Sequence, residues 1–200
     1  MGSDKAWLEI GGVPMIERVV STIQPLASRI QICLGAPVDP IDNRYVELAR
    51  TWNAGIAFDK TPGHGPLGGI LTALDVVRSA QKGKARGERT AVIVVACDLP
   101  FITTAFIEIL LKKHQAGRAD ITVPCDADGR VHPLCGIYSV SCLPAVELSL
   151  SEGRLRVDSV FDRVETSRFE YAEYEHLEGS RRLLTNVNTQ STLDRLQAEL

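Results

Sequence analysis

TAVIVVACDLP, residues 90–100, is the stretch that decides the fold. It opens with an uninterrupted apolar run of strand length, which is typical of a strand covered on both faces in a parallel sheet. Asp98 follows the run directly, and Pro100 ends the strand because its ring nitrogen has no hydrogen to donate. The carboxylate of Asp98 is therefore expected at the carboxyl edge of the sheet, where ligands bind in open α/β folds.

Helical and strand patterns alternate on both sides of this stretch. The spacing of apolar residues predicts helices over 15–23 and 70–80, a strand over 169–174 and a terminal helix over 189–200. Strands separated by helices predict an α/β fold, a three-layer sandwich with a mostly parallel, Rossmann-like sheet.

Composition narrows the class of protein. The chain has 200 residues, 44% of them hydrophobic, and a formal net charge of −3. We expect one domain and, because both signs of charge are interspersed, no nucleic-acid or membrane partner. No apolar run approaches the ~20 residues that span a bilayer, and the start lacks a signal-peptide pattern, so a cytoplasmic protein is expected. The five cysteines form no CxxC pair and are predicted to be small buried apolar side chains.

Asp98 is the first candidate for chemistry. A single carboxylate at a sheet edge can bind Mg²⁺, which keeps most of its waters and completes its shell with substrate phosphates. The alternative is that Asp98 caps the next helix.

Two glycine-containing turns are further candidates. GHGPLGG, residues 63–69, precedes a predicted helix, so its backbone could receive an anion or a base edge, although such turns also serve plain packing. Lys5, in a small polar turn near the start, could neutralise phosphate or be an ordinary surface lysine.

Six segments in their order carry a family resemblance. They are DKAWLEIGGVPMIERV (4–19), FDKTPGHGPLGGILTAL (58–74), VVACDLPFIT (94–103), HPLCGIYSV (132–140), EGRLRVDSVFDRV (152–164) and LLTNVNTQSTLDRL (183–196). The chain resembles the molybdenum cofactor guanylyltransferases, the MobA-like nucleotidyltransferases, from residue 3 to its end. The resemblance implies a sheet of the nucleotide-diphospho-sugar transferase type. It also implies a single domain over 1–200, with a nucleotide half over 1–100 and an acceptor half over 101–200.

The resemblance implies transfer of GMP from GTP to molybdopterin or molybdenum cofactor, with release of pyrophosphate. By the same resemblance, Lys5 and Asp98 are catalytic, Lys5 contacts the nucleotide phosphates, Asp98 holds the cofactor Mg²⁺, and Asp59 lies in the nucleotide site. The loop that borders the nucleotide is Gly65, Pro66, Leu67, Gly68 and Gly69, and the residues toward the pterin acceptor are His132, Asn186 and Asn188. Molybdoenzyme maturation proteins are implied as partners. The two asparagines also suit loop and helix-cap positions.

One departure from the family concerns the start of the chain. Family members begin with a hydrophobic strand and a loop of the type LAGGxSxRMG, whose final MG aligns with Met1 and Gly2. We expect the chain to be incomplete there. Losing about four large buried side chains would forfeit ~6 to 12 kcal/mol, against a typical domain stability of ~5 to 15 kcal/mol. Such a chain would be marginal, aggregate through strand edges, or borrow a strand.

Two other functions stay open at the level of sequence. One is a sister enzyme, a cytidylyltransferase for the same pterin or a sugar-phosphate nucleotidyltransferase. The other is a non-catalytic, nucleotidyltransferase-like binding protein that has lost the phosphate loop.

Overall fold

The computed structural model describes residues 4–37, 40–80 and 90–188, together with Thr192. The strands in these ranges are β1 (Glu9–Ile10), β2 (Val13–Pro14), β3 (Gln31–Leu34), β4 (Gly55–Phe58), β5 (Ala91–Val95), β6 (Ile121–Pro124), β7 (Cys135–Ser139) and β8 (Thr166–Phe169). The α-helices are α1 (Met15–Ile23), α2 (Asn43–Thr51), α3 (Gly65–Ala80), α4 (Thr104–Ala116) and α5 (Leu143–Ser151). The predicted terminal helix over 189–200 lies outside the described residues, apart from Thr192.

The larger sheet has the strand order β5-β7-β6-β8. Strand β7 is antiparallel to both of its neighbours, whereas β6 and β8 are parallel. Strand β7 runs antiparallel to β6 because only residues 125–134 connect the two strands. A parallel crossover would need a dozen or more residues. Strands β3 and β4 form a separate parallel pair. The α/β fold predicted from the sequence is confirmed, with β7 as the strand that runs against its neighbours.

Helices cover both faces of the sheets. On one face, α3 and α5 pack through Leu67, Leu74 and Val146 against β6 and β7. On the other, α4 packs against an aromatic cluster in which Phe106 lies 4.8 Å from Tyr174, measured between ring centroids. This arrangement is the three-layer sandwich predicted from the alternating pattern. None of the helices in the described ranges has both the length and the apolar character that crossing a bilayer requires.

Two predicted elements differ from the structure. Helix α3 begins at Gly65 rather than at residue 70, so the predicted glycine loop is the first turn of a helix. The strand predicted over 169–174 is wrong, since β8 ends at Phe169 and a 3-10 helix follows at Tyr171–Glu173. Tyr174 is buried against Phe106 and Phe169, and its hydroxyl donates to the carbonyl of Cys125 at 2.7 Å. The spacing of the aromatic residues in this turn resembles the apolar period of a strand.

A gap separates the two sheets. An apolar cavity of about 550 Å³, here called the groove, lies between β3 and β5 and is covered by α1 and α3. The apolar run of β5 predicted a strand covered on both faces, yet every residue of Ala91–Val95 is only partly buried. Tertiary structure leaves this edge of β5 open, because no described strand pairs with it.

Candidate active site

Asp98 lies just beyond β5, where the sequence placed it. Its backbone carbonyl accepts the N–H of Val187 at 2.8 Å, and its Oδ2 accepts the side-chain N–H of Asn186 at 3.1 Å. The cap of α4 is Thr103, whose hydroxyl accepts the N–H of Phe106 at 3.3 Å, so Asp98 does not serve as that cap. Its Oδ1 is buried and has no hydrogen-bond partner among the described residues. A buried carboxylate oxygen in that state is available to a ligand.

Lys5 joins the same cluster through Asn188. Its Nζ donates to Oδ1 of Asn188 at 3.2 Å. One short loop, residues 186–188, therefore bonds to Lys5 and to Asp98, although these residues are far apart in sequence. The structure brings both asparagines to the Lys5 and Asp98 end of the site. No contact among the described residues tests whether Asn186 and Asn188 also face the pterin, so that part stays a prediction.

Asp4 fixes the turn that carries Lys5. Its Oδ1 accepts the N–H of Ala6 at 3.2 Å and its Oδ2 accepts the hydroxyl of Tyr45 at 2.7 Å. Burial and the neighbouring Asp4 carboxylate raise the pKa of Tyr45 above its ordinary value, so its hydroxyl stays a donor. Sequence reasoning missed Asp4. The signal was present, because aspartate before a short helical turn is a common cap.

Asp59 forms a second cluster at the start of α3. Asp59 as a residue is 9% exposed, and its Oδ1 accepts the hydroxyl of Thr72 at 2.9 Å. A Cβ placed on Gly68 would lie 3.1 Å from Oδ2 of Asp59 and 2.9 Å from Cβ of His64. Glycine at this position lets the carboxylate sit against the first turn of the helix, where the unpaired N–H groups favour negative charge.

The five residues of the predicted glycine loop have different surroundings. Leu67 is fully buried in the core and Gly68 is enclosed by Asp59 and His64, so neither presents a side-chain surface to a ligand. Gly65 and Pro66 are exposed, and Gly69 is half-buried. Gly65 has a φ of +57°, in the left-handed region that favours glycine. Only part of GPLGG could therefore contact a nucleotide directly.

His132 lies before β7, whose first residue Cys135 pairs with Val95 at the end of β5. It therefore sits at the edge of the sheet that carries Asp98. Its Nε2 is 2.8 Å from Oδ2 of Asp126, a residue that sequence reasoning missed although DADG is a turn signature.

Hydrogen bonds keep Asp126 charged. Oδ1 accepts the N–H of Asp128 at 3.0 Å and of Arg130 at 2.9 Å. Burial alone would raise the pKa of Asp126, but the hydrogen bonds from His132 and these two amides outweigh it and leave the pKa lowered. The carboxylate thus fixes the orientation of the His132 ring.

Three of the five cysteines are buried, as predicted. Cys125, Cys135 and Cys142 are buried, and Cys33 and Cys97 are half-buried beside the groove. Burial, with the Asp59 carboxylate for Cys33 and the Asp98 and Asp4 carboxylates for Cys97, raises the pKa of both thiols to about 11. They are protonated near neutral pH and are poor nucleophiles.

The α/β sheet, with a carboxylate, a lysine and a helix start at its carboxyl edge, has the nucleotide-diphospho-sugar transferase fold. The family model and the relatives make the chain a nucleotidyltransferase. The chain belongs to the MobA-like NTP transferase domain family, whose profile matches residues 1–166.

Individual relatives agree over almost the whole chain. It is 30% identical over 196 residues to a probable molybdenum cofactor guanylyltransferase of Carboxydothermus hydrogenoformans. The alignment covers 98% of this chain and 88% of that protein. A molybdenum cofactor guanylyltransferase of Desulfosudis oleivorans is 27% identical, with 100% and 88% covered. The solved structure of molybdopterin-guanine dinucleotide biosynthesis protein A from Archaeoglobus fulgidus superposes with a TM-score of 0.74 at 20% identity, with 99% and 91% covered. The likeness of these structures supports the fold.

Proposed function

We propose that the protein transfers GMP from GTP to molybdopterin or molybdenum cofactor and releases pyrophosphate. The observation that carries the proposal is the single loop, residues 186–188, that bonds to Asp98 and to Lys5 at one edge of the sheet. The names of its full-length relatives support the choice of substrates.

The reaction needs charge neutralisation more than proton transfer. A phosphate oxygen of the acceptor forms a bond to the α-phosphorus of GTP, while the bond from that phosphorus to the bridging oxygen breaks and its electrons leave with pyrophosphate. Because the nucleophile is already an anion, no strong general base is required. The work of the protein is to hold two anions in line and to offset their charge.

Lys5 supplies positive charge from the chain itself. Asn188 accepts one of the three N–H bonds of the ammonium group and so orients it, which leaves two donors for phosphate oxygens. Asp4 holds the turn below it through Tyr45 and the Ala6 amide. Asn188 therefore holds the ammonium group of Lys5, and Asp4 holds the backbone turn that carries it.

Asp98 is the residue that would hold Mg²⁺. Its buried, unpartnered Oδ1 suits a hard cation, and Asn186 steadies the other oxygen. The described residues contain no group of three or more potential ligands, which argues against an all-protein metal centre and suits a cation that takes its remaining ligands from water and phosphate. Bound there, Mg²⁺ would neutralise phosphate oxygens and stabilise the departing pyrophosphate.

The two other clusters divide the substrates. In the proposal, Asp59 and the exposed start of α3, at Gly65 and Pro66, border the nucleotide. His132, oriented by Asp126, faces the acceptor. We place the reaction in the cytoplasm, with molybdoenzyme maturation proteins as recipients of the product.

A turnover assay tests the proposal. Purified protein is incubated with Mg²⁺, molybdopterin and either GTP or CTP, and pyrophosphate release is measured together with the nucleotide product. Faster turnover with GTP is expected. A preference for CTP would identify a sister enzyme, and a folded protein that binds neither nucleotide would identify a non-catalytic binding protein; either result contradicts the proposal.

A further inference from the structure

The loop of residues 186–188 has a buried side and an exposed side. Its middle residue, Val187, is fully buried, whereas Asn186 and Asn188 on either side of it are exposed. The two amides make their hydrogen bonds to the catalytic residues on the exposed side of the loop. The valine side chain takes no part in those bonds and lies in the core.

Val187 packs in a small apolar cluster, here called the anchor cluster. Its members are Ile10, Met15 and Val187, with Leu8 and Phe101 packed against them. Leu8 lies three residues after Lys5, and Phe101 lies three residues after Asp98. Each of the three segments that carry the site therefore contributes one apolar side chain to the same cluster.

The hairpin of β1 and β2 forms one wall of the anchor cluster. Arg18 of α1 donates to the carbonyl of Ile10 from Nε at 3.2 Å and from Nη2 at 2.8 Å. The carbonyl of Leu8 accepts the N–H of Met15, the first residue of α1, at 2.8 Å. These bonds tie the hairpin to α1, so Val187 packs against a surface that is itself held in place.

Hydrogen bonds alone are a weak hold on the loop. The bonds from Asn186 to Asp98 and from Lys5 to Asn188 are exposed, so water competes for their partners and their net contribution is small. The N–H of Val187 adds one bond to the carbonyl of Asp98. Burial of an apolar side chain is favourable because it removes that side chain from water. The valine therefore supplies the hold that the two exposed bonds lack.

We propose that Val187 is a positioning residue for the transfer reaction. Its burial in the anchor cluster holds Asn186 against Asp98 and Asn188 against Lys5, and it acts through these amides rather than on the substrate. The effect on turnover rests on the proposed function, whereas the hold on the loop does not. Because a displacement of about 1 Å in such a site can cost ~10²-fold in rate, a loosened loop should reduce kcat.

Amide hydrogen exchange without substrate tests the hold on the loop. Val187→Ala removes both γ-methyl groups from the anchor cluster, so the loop should open more often, and we expect its amides to exchange at least ~10-fold faster than in the parent chain. The matched control is Val146→Ala, which removes the same groups from a fully buried position between α5 and the sheet. It should leave exchange in the loop unchanged. Circular dichroism first checks that both variants fold.

Turnover with GTP, Mg²⁺ and molybdopterin tests the positioning role. We expect kcat of Val187→Ala to fall at least ~10-fold below that of Val146→Ala. A chain with both Asn186→Ala and Asn188→Ala should also lose turnover. Adding Val187→Ala to that chain should change kcat by less than about 3-fold, because the groups that the valine positions are already gone. A general loss of folded protein would instead reduce kcat by the same factor in both backgrounds.

Three results would overturn the proposal. They are unchanged exchange of the loop in Val187→Ala, turnover of Val187→Ala equal to that of Val146→Ala, and a further loss in the asparagine double variant as large as in the parent chain. Absence of GTP turnover in the parent chain would contradict the proposed function, and the exchange measurement would then decide the hold of Val187 on the loop by itself.

Discussion

At the scale of single residues, the site depends on contacts between distant parts of the chain. Asp98 and Lys5 were candidates from their local surroundings, as an aspartate after a buried strand and a lysine in a small polar turn, and the family resemblance implied their roles. Their common loop at Asn186 and Asn188 was not, because no local pattern shows which strand end a distant loop will reach. Asp126 likewise acquires its role only when the turn after β6 folds back against His132.

Replacing Asp98 tests the charge at the centre of the site. Asp98→Asn keeps the shape but removes the negative charge that would hold Mg²⁺, so we expect kcat to fall at least ~10²-fold at saturating Mg²⁺, as for the loss of one preorganised charge-stabilising group. The measurement is pyrophosphate release under single-turnover and steady-state conditions. Asp162→Asn, an exposed carboxylate outside the site, is the matched control and should be unaffected. Near-normal turnover in Asp98→Asn would exclude the metal role.

At the scale of elements, the start of α3 shows how packing can override a local sequence signal. A run of four glycines in seven residues predicted a loop, yet residues 65–69 form the first helical turn. Helix propensity disfavours glycine by about 1 kcal/mol per residue. Packing reverses that preference here, because Leu67 is fully buried and Gly68 lies against Asp59 and His64. Similarly, the aromatic residues over 169–174 suggested a strand, whereas a 3-10 turn forms between the buried Phe169 and Tyr174.

Two alanine variants in this turn should have opposite effects. Gly68→Ala brings a Cβ to 2.9 Å from Cβ of His64, so we expect overpacking to lower the free energy of unfolding by ~1 to 3 kcal/mol. Gly69→Ala meets nothing within 4 Å and should be neutral or stabilising by up to ~1 kcal/mol, because alanine is the better helix former. Urea denaturation of both variants gives the comparison. Equal destabilisation would show that backbone conformation, not the contact with Asp59 and His64, requires glycine.

At the scale of the whole molecule, stability should depend on a few carboxylates that are paired only in the folded state. Asp75 on α3 is the clearest case, since its side chain is 12% exposed and bonds to Lys60 and to Arg78. The hydrogen bond from Lys60, with that from Arg78, lowers the pKa of Asp75 against the opposing effect of burial. Lys60 is mostly exposed, so water and salt weaken its part.

The pH dependence follows from the direction of that shift. A carboxylate whose pKa is lowered on folding contributes stability above its unfolded value of about 3.8, and that contribution is lost as pH falls through the folded pKa. Asp75→Asn should therefore be less stable than the parent at neutral pH, with the difference shrinking below pH ~4. Denaturant midpoints measured from pH 3 to 7 test this, with Asp162→Asn as control. A difference that is constant across this range would contradict the assignment.

The sequence by itself determined the α/β class, the helix α1, and the position of Asp98 after β5, because these depend on local periodicity and on the chemistry of residues such as Pro100. Only the tertiary structure decided which distant groups meet. It joined Lys5 and Asp98 through residues 186–188 and placed the Asp59 carboxylate against Gly68. It also left β3 and β5 facing each other across an apolar groove. The reason is physical: periodicity records which face of an element is apolar, whereas the partner of that face or strand edge depends on packing between segments far apart in the chain.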